Sequence, residues 1–215
     1  RYWHHNSFPK PSPLKTRFPI SKSNIEKITS AAINDPVLKR RRRFAMIKLL
    51  EITGCRVSEI VSITVKSIYD ADKTPDGQIP LIVLPIKKGE KRSRSIPISR
   101  HDIRYFIDYI ENSRRIIISK TCKSVGDKGF LLVSLTTGAP LRPNTVTQEI
   151  HELARICGIP AQLCPHMFRH RFCTEIFLII LRHHNLGTVT DVRNALLSFD
   201  DMKEKVLEWT GHKSI

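Results

Sequence analysis

The chain has 215 residues, with 36 Lys and Arg against 20 Asp and Glu, for a formal net charge of +16. An excess of that size goes beyond what solubility asks for and points to a polyanionic partner, most often nucleic acid, rather than to a small-molecule substrate. A hydrophobic fraction of 40% suffices for a packed core, and no apolar run approaches the roughly 20 residues that a membrane-spanning helix needs.

Residues 1–20 carry Pro9, Pro11, Pro13 and Pro19 among basic and aromatic side chains, the composition of a linker or extended arm. Ser23 followed by Glu26 has capping-box spacing and predicts a helix to about Ile33. Asp35-Pro36 fits an N-cap and first helical position. The helix it opens runs to about Ile52, with Phe44, Ile47 and Leu50 or Glu51 marking the period and Thr53-Gly54 breaking it. A shorter helix, about Val57 to Ile63, follows. Three short strands are expected over residues 64–98: Val65 with Ile68, then Ile79 to Ile86, then Ser95 to Ile98. Asp76-Gly77 and Lys88-Gly89-Glu90 stand where turns belong.

Ser99 with Asp102 starts the next helix, its apolar stripe formed by Ile103, Phe106, Ile107 and Ile110. Residues 119–128 are polar and loop-like, and Phe130 to Val133 is a short apolar stretch whose type the pattern leaves open. Pro143 begins a helix to about Cys157, and Pro165 a long one to about His184, with two more near residues 188–198 and 200–209. The sum is α+β, mainly α-helical, with a small three-stranded antiparallel sheet. Residues 21–215 form one domain after the linker.

Five cysteines, an odd number with no C-x-x-C pair, argue against a disulfide framework and for a reducing, cytoplasmic setting. Cys157, Cys164 and His166 match no standard zinc spacing.

Four places carry residue types suited to chemistry on phosphate, each with a plainer alternative. In Thr53-Gly54-Cys55-Arg56-Val57-Ser58-Glu59, Glu59 lies three residues after Arg56 and can orient its guanidinium; a surface ion pair is the alternative. Lys87-Lys88-Gly89-Glu90-Lys91 sits between two strands and can reach a DNA groove or phosphate, or simply guard a sheet edge. Pro165-His166-Met167-Phe168-Arg169-His170-Arg171 puts a histidine and arginines at a helix start. Backbone donors are free there, an arginine can hold two phosphate oxygens, and a histidine can move a proton near neutral pH. Trp209-Thr210-Gly211-His212-Lys213 reads alternatively as a helix end with a solvated tail. Beyond these, Arg40, Arg41, Arg42 and Arg43 form a basic run suited to phosphate contacts.

Taken together, the arginine, lysine, His-x-x-Arg and Gly-His elements resemble the active-site set of the tyrosine recombinase (phage integrase) family over roughly residues 21–215. The resemblance implies that Arg56 and Arg169 clamp the scissile phosphate, with Glu59 supporting the site. Lys88 corresponds to the acid that protonates the departing 5′ oxygen, with Lys87 and Lys91 as neighbouring competitors. His166 corresponds to the proton acceptor or phosphate ligand, and His212 to the second histidine. Arg40 to Arg43, Lys87, Lys91 and Arg171 are expected DNA contacts.

The implied activity is site-specific recombination or integration, as in mobile elements. Strands are cleaved and rejoined through a 3′-phosphotyrosyl intermediate, with no metal or other cofactor. Double-stranded DNA is the partner, and self-association on DNA is expected. Two alternatives stand beside it: a type IB topoisomerase-like domain, and a DNA-binding module without catalysis.

The family's nucleophilic tyrosine follows the second histidine, whereas Tyr2, Tyr69, Tyr105 and Tyr109 all precede His166. The nucleophile is therefore expected beyond residue 215. The interval from His166 to His212 is longer than the family needs, and the stretch around Arg182-His183-His184-Asn185 reads as inserted.

Overall fold

In the computed structural model, which describes residues 18–85, 93–121, 126–159 and 163–183, helix α1 spans Lys22–Ala31. Its N-cap is Ser21, whose hydroxyl accepts from the Asn24 amide at 3.1 Å. The predicted cap, Ser23, lies inside the helix. A 3₁₀ turn over Ala32–Asn34 leads to α2, Val37–Thr53, with Pro36 as its N-cap rather than its first helical residue.

Helix α2 buries Ala45, Met46, Ile47, Leu49 and Leu50, residues that point around most of its circumference. Such a helix has neighbours on several sides, and α2 does pack against α1 and against the helices Val57–Ile60, Arg100–Tyr109 and Pro165–His183. Gly54 ends it in the left-handed region, at φ 54° and ψ 26°. Helix α3 is a single turn, Val57–Ile60, shorter than expected.

The first predicted strand is instead helix α4, Val65–Asp72. Thr64 caps it by accepting from the Ser67 amide at 3.1 Å, and Ile68 and Ala71 are buried one turn apart. The spacing of Val65 and Ile68 was helical all along. The sheet is accordingly two-stranded among the described residues. β1 (Leu81–Pro85) pairs antiparallel with β2 (Ser93–Pro97), Leu81 opposite Pro97 and Val83 opposite Ser95. Ile82, Leu84 and Ile96 face the core, while Leu81 and Val83 face outward, the alternation expected of a one-sided sheet.

Helix α5 (Arg100–Tyr109) starts at Ser99 as expected and continues through a π-helical turn, Ile110–Arg114, into α6, Arg115–Thr121. Residues 119–121, expected in a loop, are thus helical. Leu131, Leu132 and Val133 are buried but form no strand, only isolated bridges from Phe130 to Thr64 and from Val133 to Pro140. Helices α7 (Pro143–Ile156) and α8 (Pro165–His183) close the described fold. The helices expected near 188–198 and 200–209 lie outside the described residues.

The position of α2 overturns part of the expected DNA surface. Arg43 is fully buried and Arg42 nearly so. Arg43 bonds Asp35 at 2.8 Å and Glu149 at 3.3 Å, and it also pairs with Glu152. Arg42 pairs with Glu149 and donates to the Val133 carbonyl. Burial works against the charge of Arg43, but Glu149, Asp35 and Glu152 outweigh it and hold the guanidinium above its ordinary pKa. Arg42 and Arg43 therefore join α2 to α7 rather than contacting phosphate. Arg40 and Arg41 are partly exposed; Arg40 donates to the Ile33 carbonyl and Arg41 pairs with Asp108 at 2.9 Å.

Candidate active site

The turn after α2 is built around its glycine. The Thr53 hydroxyl bonds back to the Leu49 carbonyl and accepts from the Cys55 amide at 3.2 Å. Gly54 turns left-handed between them, and Cys55 is buried. The chain then re-enters a helix at Arg56. There Glu59 uses both carboxylate oxygens: one accepts from the Arg56 amide at 3.0 Å, the other from its Nη1 at 3.0 Å. Glu59 is 1% exposed, while the Arg56 side chain is 40% exposed. A buried carboxylate thus orients a guanidinium that still reaches solvent.

Helix α8 brings the second motif to the same place. Arg169 is buried, and its Nη1 donates to the Gly54 carbonyl at 3.0 Å across 115 residues of sequence. The ring of Phe172 lies against Gly54 from the same face of α8. His166, in the first turn of α8, is exposed, and its ring meets that of His170 edge to face with centroids 4.4 Å apart. The Thr-Gly-x-Arg turn and the His-x-x-Arg helix are thereby in contact at Gly54, although they lie far apart in sequence.

Arg171, expected as a DNA contact, is half-buried and engaged within the fold. Its guanidinium donates to the Ile20 carbonyl at 3.2 Å and pairs with Glu175 at 2.5 Å. The Ile20 amide in turn donates to the Met167 carbonyl. Arg171 ties the segment before α1 to the first turns of α8. Lys87, Lys88, Lys91 and His212 lie outside the described residues.

The three described tyrosines all have phenols shifted upward. Burial pushes Tyr105 up to about 12 and Tyr109 well above the ordinary phenol value. Tyr69 is raised by burial and then by Glu111, to which it donates at 3.4 Å. An activated nucleophile needs the opposite shift or a base beside it, and Glu111 stands beside Tyr69 in that way. Among the described residues no three His, Cys, Asp or Glu side chains gather as metal ligands, and no helix is long and apolar enough to cross a membrane.

A model of the phage integrase family matches residues 19–178. The chain belongs to that family. This integrase-family chain is 27% identical over 192 residues to tyrosine recombinase XerD of Vibrio cholerae serotype O1, covering 88% of the chain and 56% of the relative. It is 30% identical over 171 residues to XerD of Chlorobaculum tepidum, covering 76% and 51%. The chain thus spans about half the length of these relatives. The fold is that of solved recombinases. A XerH site-specific recombinase bound to its difH substrate aligns with a TM-score of 0.62 at 18% identity, over 94% of this chain and 50% of that one. XerA recombinase aligns with 0.59 at 18% identity, over 92% and 57%.

Sequence reading had Gly54 only as a helix break within the first motif, did not single out Phe172, and left His170 without a role. The contact between Gly54 and Phe172 has no signature in sequence, since the two are joined only by the packing of α2 on α8. His170 was visible as the residue after Arg169, but its ring contact depends on helical spacing to His166.

Proposed function

We propose that this chain is the catalytic domain of a site-specific DNA recombinase that cleaves and rejoins strands through a 3′-phosphotyrosyl intermediate. The observation that carries the reading is the hydrogen bond from Arg169 to the Gly54 carbonyl, which seats the His-x-x-Arg helix start against the turn bearing Arg56. Phosphoryl transfer spreads negative charge over the nonbridging oxygens of its transition state, and preorganised guanidiniums stabilise that charge. We assign this task to Arg56, which Glu59 orients, and to Arg169, which donates to the Gly54 carbonyl. His166 at the exposed helix start takes or shares a proton or binds a phosphate oxygen. Lys88 is assigned the protonation of the 5′ leaving oxygen, and His212 a further phosphate contact, on family resemblance. The attacking tyrosine is assigned, on family resemblance, to a residue that follows the second histidine. Double-stranded DNA is the partner, and the XerH complex with difH supports that assignment. Assembly of several protomers on two DNA sites follows from the same reading, as does a DNA-associated place in the cell.

The test is covalent trapping. The full-length protein carrying this sequence is incubated with a pool of random duplexes, denatured, and the DNA left attached to protein is sequenced. The expected result is a 3′-linked adduct at a restricted set of sequences. Arg56→Ala and Arg169→Ala should each lower its rate of formation by about 10²–10³. Salt-sensitive binding with no adduct at any sequence would make the chain a DNA-binding module without catalysis.

A further inference from the structure

Positive φ at the end of a helix is common, and glycine supplies it without a Cβ penalty. Among the described residues two glycines stand in that conformation just after a helix: Gly54 at φ 54° after α2, and Gly158 at φ 63° after α7. Their surroundings differ. A Cβ built on Gly158 meets nothing within 4 Å, whereas one built on Gly54 lies 2.4 Å from Phe172 Cδ1, 2.6 Å from Cγ and 2.7 Å from Cβ. The last distance matters most. The Phe172 Cβ is fixed to the α8 backbone, so no rotamer of the ring makes room, and either α8 or the turn at Gly54 must move. Phe172 lies one turn beyond Arg169, and it is Arg169 that donates to the carbonyl of the same glycine. The Gly54 peptide is therefore gripped twice from one face of α8.

We propose that Gly54 and Phe172 form a positioning pair for the two arginines. The side chain missing at Gly54 is a seat that lets Phe172 close on the backbone. That closure sets the separation between Arg169 on α8 and Arg56 two residues past the glycine. Neither residue is catalytic in this account; each acts through the guanidiniums it places. The proposal rests on the reading of Arg56 and Arg169 as a phosphate clamp.

Asparagine separates this role from helix capping, because it adopts the left-handed conformation but brings a Cβ. The experiment titrates the chain with inorganic phosphate and follows the Arg56 and Arg169 Nε–H resonances, with melting temperatures measured alongside. In the wild type both resonances should move with one shared affinity. Gly158→Asn, also at a positive-φ position after a helix but with open space around it, should match it. Gly54→Asn should split the two responses and weaken phosphate roughly 10-fold to 100-fold, as for loss of one charge-assisted hydrogen bond. Phe172→Leu, the milder change if Gly54→Asn does not fold, should weaken it in the same direction with the fold intact. A folded Gly54→Asn or Phe172→Leu protein that keeps the shared response at wild-type affinity overturns the positioning pair alone. A wild type in which the two arginines do not respond together overturns the clamp reading and the pair with it.

Discussion

Glu59 and Arg43 show how burial decides what a charged residue is for. Glu59 is buried with both oxygens occupied by Arg56. Its replacement by Gln keeps one acceptor but turns an amide donor toward a guanidinium. Glu59→Gln should cost about 1–3 kcal/mol of stability and should slow adduct formation, with the loss in rate rather than in DNA affinity. Denaturant titration and the trapping assay check the two halves separately. Arg43 makes the contrary case. It sits in a run of four arginines that reads as a phosphate-binding stripe, yet it is fully buried among Asp35, Glu149 and Glu152. Arg43→Ala leaves those carboxylates uncompensated and should destabilise the fold by about 3–5 kcal/mol. The salt dependence of DNA binding, measured below the new melting temperature, should be unchanged. A shallower salt slope in that variant would return Arg43 to the DNA surface.

At the scale of elements, ion pairs fasten segments that have little sheet to hold them. The Arg114 guanidinium, buried at the end of the π-helical turn, donates to the Phe130 carbonyl at 2.6 Å and to both oxygens of Asp127 at 2.8 and 2.5 Å. The hydrogen bond from Arg114 holds the Asp127 carboxyl below its ordinary pKa, with burial opposing and the Gly129 amide assisting. A depressed carboxylate stabilises the fold above its unfolded pKa, near 3.9 for a model aspartate, and that contribution disappears as pH falls through the lower folded value. Asp127→Asn should therefore lower stability at neutral pH by about 1–2 kcal/mol, an estimate reduced for the partial exposure of Asp127. The gap in melting temperature between wild type and variant should stay constant above about pH 5 and close toward pH 2. A gap that widens on acidification would contradict the pairing. Arg171 performs a similar fastening for the segment before α1. Arg171→Ala should raise amide exchange at Ile20, whose N–H bonds the Met167 carbonyl, while leaving the exchange of β1 and β2 unaltered.

Across the whole molecule the charge of +16 remains after the internal pairs are formed, because each internal pair is already counted in that sum. Binding to duplex DNA should be governed by counterion release. If 6–10 phosphates are contacted, affinity should fall by about 10³–10⁵ between 50 and 200 mM salt. Binding isotherms at four or five salt concentrations measure the slope directly, and a flat response would remove phosphate contacts from the account.

Much of this architecture could be read from local pattern. Ser99 with Asp102, Pro143, Pro165 and the Thr53-Gly54 break all mark real helix ends, because caps and breakers act within a few residues of chain. The same locality made Thr-Gly-x-Arg-x-Ser-Glu and His-x-x-Arg-His legible as motifs, and their company pointed to the family. Composition alone set the charge and hence the class of partner proposed for it. Where local signals competed, the reading failed: Val65 and Ile68 were grouped with strands although Thr64 caps a helix there. Tertiary structure decided everything that depends on which face of a helix meets another. It turned Arg42 and Arg43 inward, since α2 is covered on most sides and its basic run has carboxylates of α7 to meet. It joined Arg169 to Gly54 and closed Phe172 on a backbone with no Cβ, contacts that no spacing rule encodes because they form only when two distant helices pack.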